Sequence, residues 1–108
     1  MRMMLRVSIP VESGNLAAQT GSLGSTIGRI LADLKPEAAY FTENEGERTG
    51  YIVFDMQDSS QLPAVAEPWF LAFNARITFR PAMTPQDLGI AGPAIEAAVK
   101  AYAKAAGA

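Results

Sequence analysis

The chain contains no cysteine and no histidine. The first absence excludes disulfides, a thiol nucleophile and thiolate metal ligands. The second excludes histidine-ligated haem, most zinc sites and the usual general base near neutral pH. Charge is sparse too: charged residues are 19% of the 108, with a net charge of −2. That balance supplies no global attraction to nucleic acid or an anionic membrane. A carboxylate-only Mg²⁺ or Ca²⁺ site passes this filter, as does chemistry run by Arg, Asp, Glu, Tyr or Ser. No cofactor is expected. Long hydrophobic runs are also missing, and nothing approaches the roughly 20 apolar residues of a membrane span. Arg6 interrupts the apolar start and Pro10 follows, which is too short for a secretion signal, so a cytoplasmic protein is expected.

Apolar residues make up 49% of the chain. A chain of this length forms one domain and buries roughly 60–70% of its unfolded surface, enough for a core without covalent staples.

Met4 to Ile9 alternates, with Leu5, Val7 and Ile9 on one side and Met4, Arg6 and Ser8 on the other. Period two predicts a strand, ended by Pro10. Gly14 to Leu34 reads as helix with a broken first part. Its stripe is Leu23, Ile27, Ile30, Leu31 and Leu34, with Ser22 as a cap. Gly21 and Gly24 weaken continuity, and Pro36 stops the helix. Ala38–Thr42 and Thr49–Met56 form a hairpin about a turn in which Asn44 or Gly46 takes positive φ. Asp58, Ser59 or Ser60 caps a further helix carrying Leu62, Val65, Ala66, Trp69, Phe70 and Phe73, kinked at Pro68. Ala75 to Pro81 alternates as a fourth strand. Thr84 and Pro85 signal a last helical segment, which Gly89 and Gly92 interrupt before Pro93 opens a stretch with Ile95, Val99 and Tyr102 on one face.

The order βαββαβ makes an α+β domain over residues 1–83: a four-stranded antiparallel sheet with two helices on one face. Residues 84–108 form a C-terminal helical extension that packs on the domain or on a partner subunit. The other sheet face is left for solvent or a partner. It carries Met4, Arg6, Ser8, Arg76, Thr78 and Arg80, joined either by Tyr51, Val53 and Asp55 or by Ile52, Phe54 and Met56. The hairpin register, open at this level, decides which.

The stretch from Tyr40 to Pro81 carries a resemblance. It holds a Tyr-Phe strand, a Glu-Gly-Glu turn, Gly50-Tyr51 leading into Phe54-Asp55, an Asp58-Ser59 helix start, Glu67-Pro68-Trp69-Phe70 and a closing Arg-Ile-Thr-Phe-Arg-Pro strand. In that order it resembles the ferredoxin-like, dimeric α+β-barrel superfamily, in its small branches without assigned chemistry. The resemblance implies a homodimer closed through the open sheet faces. It also implies a small-molecule cavity between sheet and helices or inside the barrel. Haem-binding branches rely on a histidine that this chain lacks, and no catalytic set transfers residue by residue.

Three groups are candidates for ligand binding. Arg6, Arg76 and Arg80 can clamp a carboxylate or phosphate, or else pair with Asp55, Glu43 or Glu47. Tyr40, Tyr51 and Asp55 can supply an acid and a base, or else sit at a sheet–sheet interface. Trp69, with Phe70 and Phe73, can wall an aromatic pocket, or else form core. Gly21–Thr26 has the composition of a phosphate loop but lacks its lysine, which disfavours ATP chemistry. Glu43, Glu45 and Glu47 crowd one turn, where solvation outweighs cation binding. The expected protein is a homodimeric small-molecule binding protein or a small cofactor-independent enzyme with a small anionic or aromatic ligand. The alternative is a structural or regulatory dimerisation module without catalysis. Nucleic-acid binding is not expected, because the central strands lack the paired aromatic and basic signature.

Overall fold

The computed structural model describes residues 1–103. The chain runs β1 (Arg2–Ile9), α1 (Val11–Gln19), α2 (Leu23–Leu34), β2 (Ala38–Asn44), β3 (Glu47–Asp55), α3 (Leu62–Phe73), β4 (Arg76–Pro81) and α4 (Pro85–Ala98). The four strands form one antiparallel sheet in the order β2-β3-β1-β4. This split arrangement is the α+β architecture expected from the sequence and is compatible with a ferredoxin-like fold.

Local chemistry explains the breaks. The first helical stretch is two helices, because Gly21 takes φ 78° between them. Ser22 precedes α2 but does not cap it. Its Oγ turns back to the Ala17 carbonyl at 3.4 Å instead. The hairpin turn is Glu45-Gly46, both at positive φ, so Glu45 rather than Asn44 joins Gly46 there. Two successive positive φ values match the twist of paired strands. Asp58 caps the single 3₁₀ turn Ser59–Gln61 that leads into α3, and Thr84 caps α4, each in a reciprocal capping box, with Gln61 and Asp87 respectively. Asn74 closes α3 in the left-handed region, where its N–H reaches the Phe70 carbonyl at 2.9 Å. The glycine breaks expected at Gly89 and Gly92 do not occur: α4 runs through both and through Pro93 to Ala98. Glycine and proline lower helix propensity without forbidding the conformation, and Pro93 removes only one backbone donor.

All three of α1, α2 and α3 pack on one sheet face. Leu5, Val7, Ile52, Phe54, Trp69 and Phe73 are fully buried there, and Leu23, Ile27, Ile30, Leu31 and Leu34 of α2 pack against them. Each such burial contributes about 1.5–3 kcal/mol before chain entropy is set against it. Phe54 meets Phe79 edge-on at 6.3 Å. Gly50 lies beneath the Phe41 ring, whose nearest atom is 2.9 Å from where a Cβ would stand.

The helix α4 projects from the domain, its substantial packing being with the turn Val99–Ala103 that continues it. Arg2 and Asp87 approach to 4.0 Å at its base. The radius of gyration is therefore 18.4 Å, against roughly 13 Å for a compact 100-residue domain. Leu88, Ile95, Val99 and Tyr102 are exposed along it.

Candidate functional site

The strand register decides what the uncovered sheet face carries. Leu5 pairs with Ile52 and Phe79, and Arg6 pairs with Tyr51 and Thr78. Side chains alternate along a strand, so the Ile52 and Phe54 parity turns to the helices. Tyr51, Val53 and Asp55 share the open face with Arg6, Arg76 and Arg80. Tyr40 pairs with Tyr51 and joins them from the edge strand. Six of the seven candidate residues are thus on one surface. Trp69 is on the other side of the sheet and is fully buried, packed at 6.2 Å from Phe73. It is core, with its Nε1–H lacking an acceptor among the described residues.

The face has three cross-sheet rows. Thr42, Thr49, Ser8 and Arg76 form one; Tyr40, Tyr51, Arg6 and Thr78 the next; Ala38, Val53, Met4 and Arg80 the third. At the first row Arg76 reaches over β1 to pair with Glu47. Ser8 and Thr49, which stand in the same row between Arg76 and the edge strand, are buried. At the opposite end Asp55 accepts from the Met1 amino group at 3.0 Å, and Arg2 pairs with Glu37 at 2.9 Å.

Arg6 differs. It is half-buried at the centre of the face and has no carboxylate or hydrogen-bond partner among the described residues. Arg80, diagonal to it, has none either. Diagonal neighbours lie about 7–8 Å apart along the sheet, so two arginines without an internal partner stand on adjacent strands of this face, with Arg6 opposite Tyr51. Two fork-shaped cations with no internal counterion suit a carboxylate or phosphate. Tyr40, on the edge strand beside Tyr51, is 72% exposed.

A second feature was not legible in the sequence. On the helix side, a cleft of about 480 Å³ opens between α2 and α3 above Phe54. Its apolar walls include Ile30, Leu34, Val65 and Pro68, and Arg29, Asp33 and Gln61 stand at its mouth. Of the seven candidates only Asp55 touches it. The i, i+4 spacing of Arg29 and Asp33 was the available signal, but it reads as an ordinary solvated helix face.

The other sequence features resolve into local structure. Gly21–Thr26 forms the junction between α1 and the start of α2. Glu43 accepts from the Gly46 amide at 3.1 Å and Glu47 pairs with Arg76, so two of the three turn glutamates are engaged within the chain. Among the described residues no group of three or more acidic side chains is placed to hold a metal ion. Among the described residues no helix is long and apolar enough to cross a membrane.

Residues 1–96 match the family model described as Domain of unknown function (DUF3303), and the chain belongs to that family. No curated protein matches the chain.

Proposed function

We propose that this DUF3303 member is a homodimeric small-molecule binding protein, in which two copies face each other through their open sheets and enclose an anionic ligand. The observation that carries this is Arg6: half-buried, central and without an internal counterion. Arg80 adds a second free cation in a chain whose net charge is −2. Two such faces brought together place four guanidiniums in one space. Their repulsion opposes a bare dimer, and an anion held between them reverses its sign. Ligand and dimer are therefore thermodynamically linked. Tyr51 and Tyr40 supply hydroxyl donors and ring faces beside the anion, which suits an aromatic acid. The Arg76–Glu47 bridge closes one end of the chamber. Whether a reaction follows binding depends on a proton donor, for which Tyr51 is the candidate.

The test is light scattering on the full chain, with and without benzoate or inorganic phosphate. Benzoate or phosphate is expected to shift monomer toward dimer, and Arg6→Gln to abolish the shift. A dimer that forms equally well without any anion, and is unaffected by Arg6→Gln, supports instead a dimerisation module that binds no ligand. A monomer under all conditions overturns both.

A further inference from the structure

We infer that the cleft between α2 and α3 is a second binding site, on the opposite face of the sheet, for a zwitterionic apolar molecule of dipeptide size. This inference does not rest on the function proposed for the open face. The cleft, at about 480 Å³, is within the roughly 300–1,000 Å³ of small-molecule sites. Its floor is the rigid, fully buried Phe54, held edge-on against Phe79. Ile30, Leu34 and Val65 are half-buried walls, so they offer apolar surface that the core has not used.

The polar groups at the mouth give the ligand its chemistry. Arg29 and Asp33 are one turn apart on α2, a spacing at which such side chains can pair. They do not pair, and neither has an ion-pair or hydrogen-bond partner among the described residues. Gln61 is fixed in place. Its Oε1 accepts from the Gln57 amide at 2.8 Å and the Asp58 amide at 3.3 Å, which directs its amide nitrogen's two protons elsewhere. Pro68 lines the cleft and has no N–H, so the Ala64 carbonyl, also in the lining, lacks its usual helical donor. The lining thus offers two donors, Arg29 and Gln61, and three acceptors: Asp33, the Ala64 carbonyl and Asp55, whose carboxylate is already held by the Met1 amino group. A molecule with one carboxylate, one ammonium and an apolar body satisfies the four that are not already paired. An apolar acid leaves Asp33 unmatched, and an apolar amine leaves Arg29 unmatched.

The probe is leucyl-phenylalanine, with its N-acetyl and C-terminal amide forms as controls. Binding is followed by amide chemical shifts of the full chain. The free dipeptide is expected to move the Arg29, Phe54 and Val65 signals and not those of Arg6 or Tyr51. Either capped form should bind about tenfold more weakly, as should Arg29→Gln and Asp33→Asn with the free dipeptide. Both variants are at exposed positions and should keep the wild-type spectrum. Ala64→Phe, which fills the cleft from its rim, should remove binding. The inference is overturned if capped and free forms bind alike, if shifts fall on the open face, or if the dipeptide leaves all signals unmoved at millimolar concentration. Anion-linked dimerisation through Arg6 is read by light scattering and can succeed or fail independently.

Discussion

Arg76 on β4 crosses over β1 to pair with Glu47 on β3, and Ser8, the register partner of Arg76 on β1, is buried. Two strands that do not touch are thereby tied, and one candidate ligand-binding arginine is already engaged. Arg76 is 68% exposed and Glu47 21%, so solvent screens much of the attraction. Arg76→Ala should cost only about 0.2–1 kcal/mol in urea unfolding, falling further at high salt. A loss well beyond that range would assign the bridge a larger structural role.

Arg6 should respond differently. It has no internal partner to lose, so Arg6→Met should leave monomer stability within about 1 kcal/mol of wild type. The same variant should lose anion-linked dimerisation. A large destabilisation measured by denaturant would show that Arg6 is held by the fold rather than held ready for a ligand.

Gly50 is buried under the Phe41 ring. Gly50→Val should displace that ring and cost about 1–3 kcal/mol, as overpacking does. In a Phe41→Ala background the penalty should shrink, because the obstruction is gone. A double-mutant cycle with no coupling between the two positions would contradict the contact.

Trp69 is fully buried but its Nε1–H is unpartnered among the described residues. Trp69→Ala should cost about 3–5 kcal/mol through the cavity it leaves. Trp69→Phe should cost far less, since it also removes an unsatisfied donor. Equal losses for the two would mean that the indole nitrogen is bonded after all.

The caps impose a pH dependence. Hydrogen bonds from the Ser60 side chain and amide hold the Asp58 carboxyl below its ordinary value of 3.8, and hydrogen bonds from Thr84 do the same for Asp87. A depressed folded-state pKa gives stability that is present above the unfolded value and lost as pH falls through the folded one. Thermal stability should therefore decline as pH drops below about 3.8. Asp58→Asn together with Asp87→Asn should flatten that decline, and an unchanged acid limb would assign it to other carboxylates.

Much of this was legible in local pattern. Alternation in Met4–Ile9 and Ala75–Pro81 marked two strands and sorted their inward residues, because side chains on a strand have period two. Thr84 was readable as a cap, and Asp58 as one of three candidates with Ser59 and Ser60, because a short side-chain acceptor before a helix satisfies its free amides. Ser22 has the same chemistry but takes φ −94° and ψ −10°, a helical backbone that turns its hydroxyl to α1 instead. The continuity of α4 through Gly89, Gly92 and Pro93 was hidden, since propensity is a weak guide where a helix is otherwise intact.

The residues alone determined the α+β class, the presence of an uncovered sheet face and the exclusion of thiol and histidine chemistry. Two matters belonged to the tertiary structure. One is the parity of β3: both Tyr51-Val53-Asp55 and Ile52-Phe54-Met56 can face a core, and only pairing of Leu5 with Ile52 turns the tyrosine and aspartate outward beside Arg6. The other is the cleft, whose walls come from α2 and α3 and whose floor is in β3, segments distant in sequence. Register and cavities are relations between segments, and no periodicity within one segment encodes them.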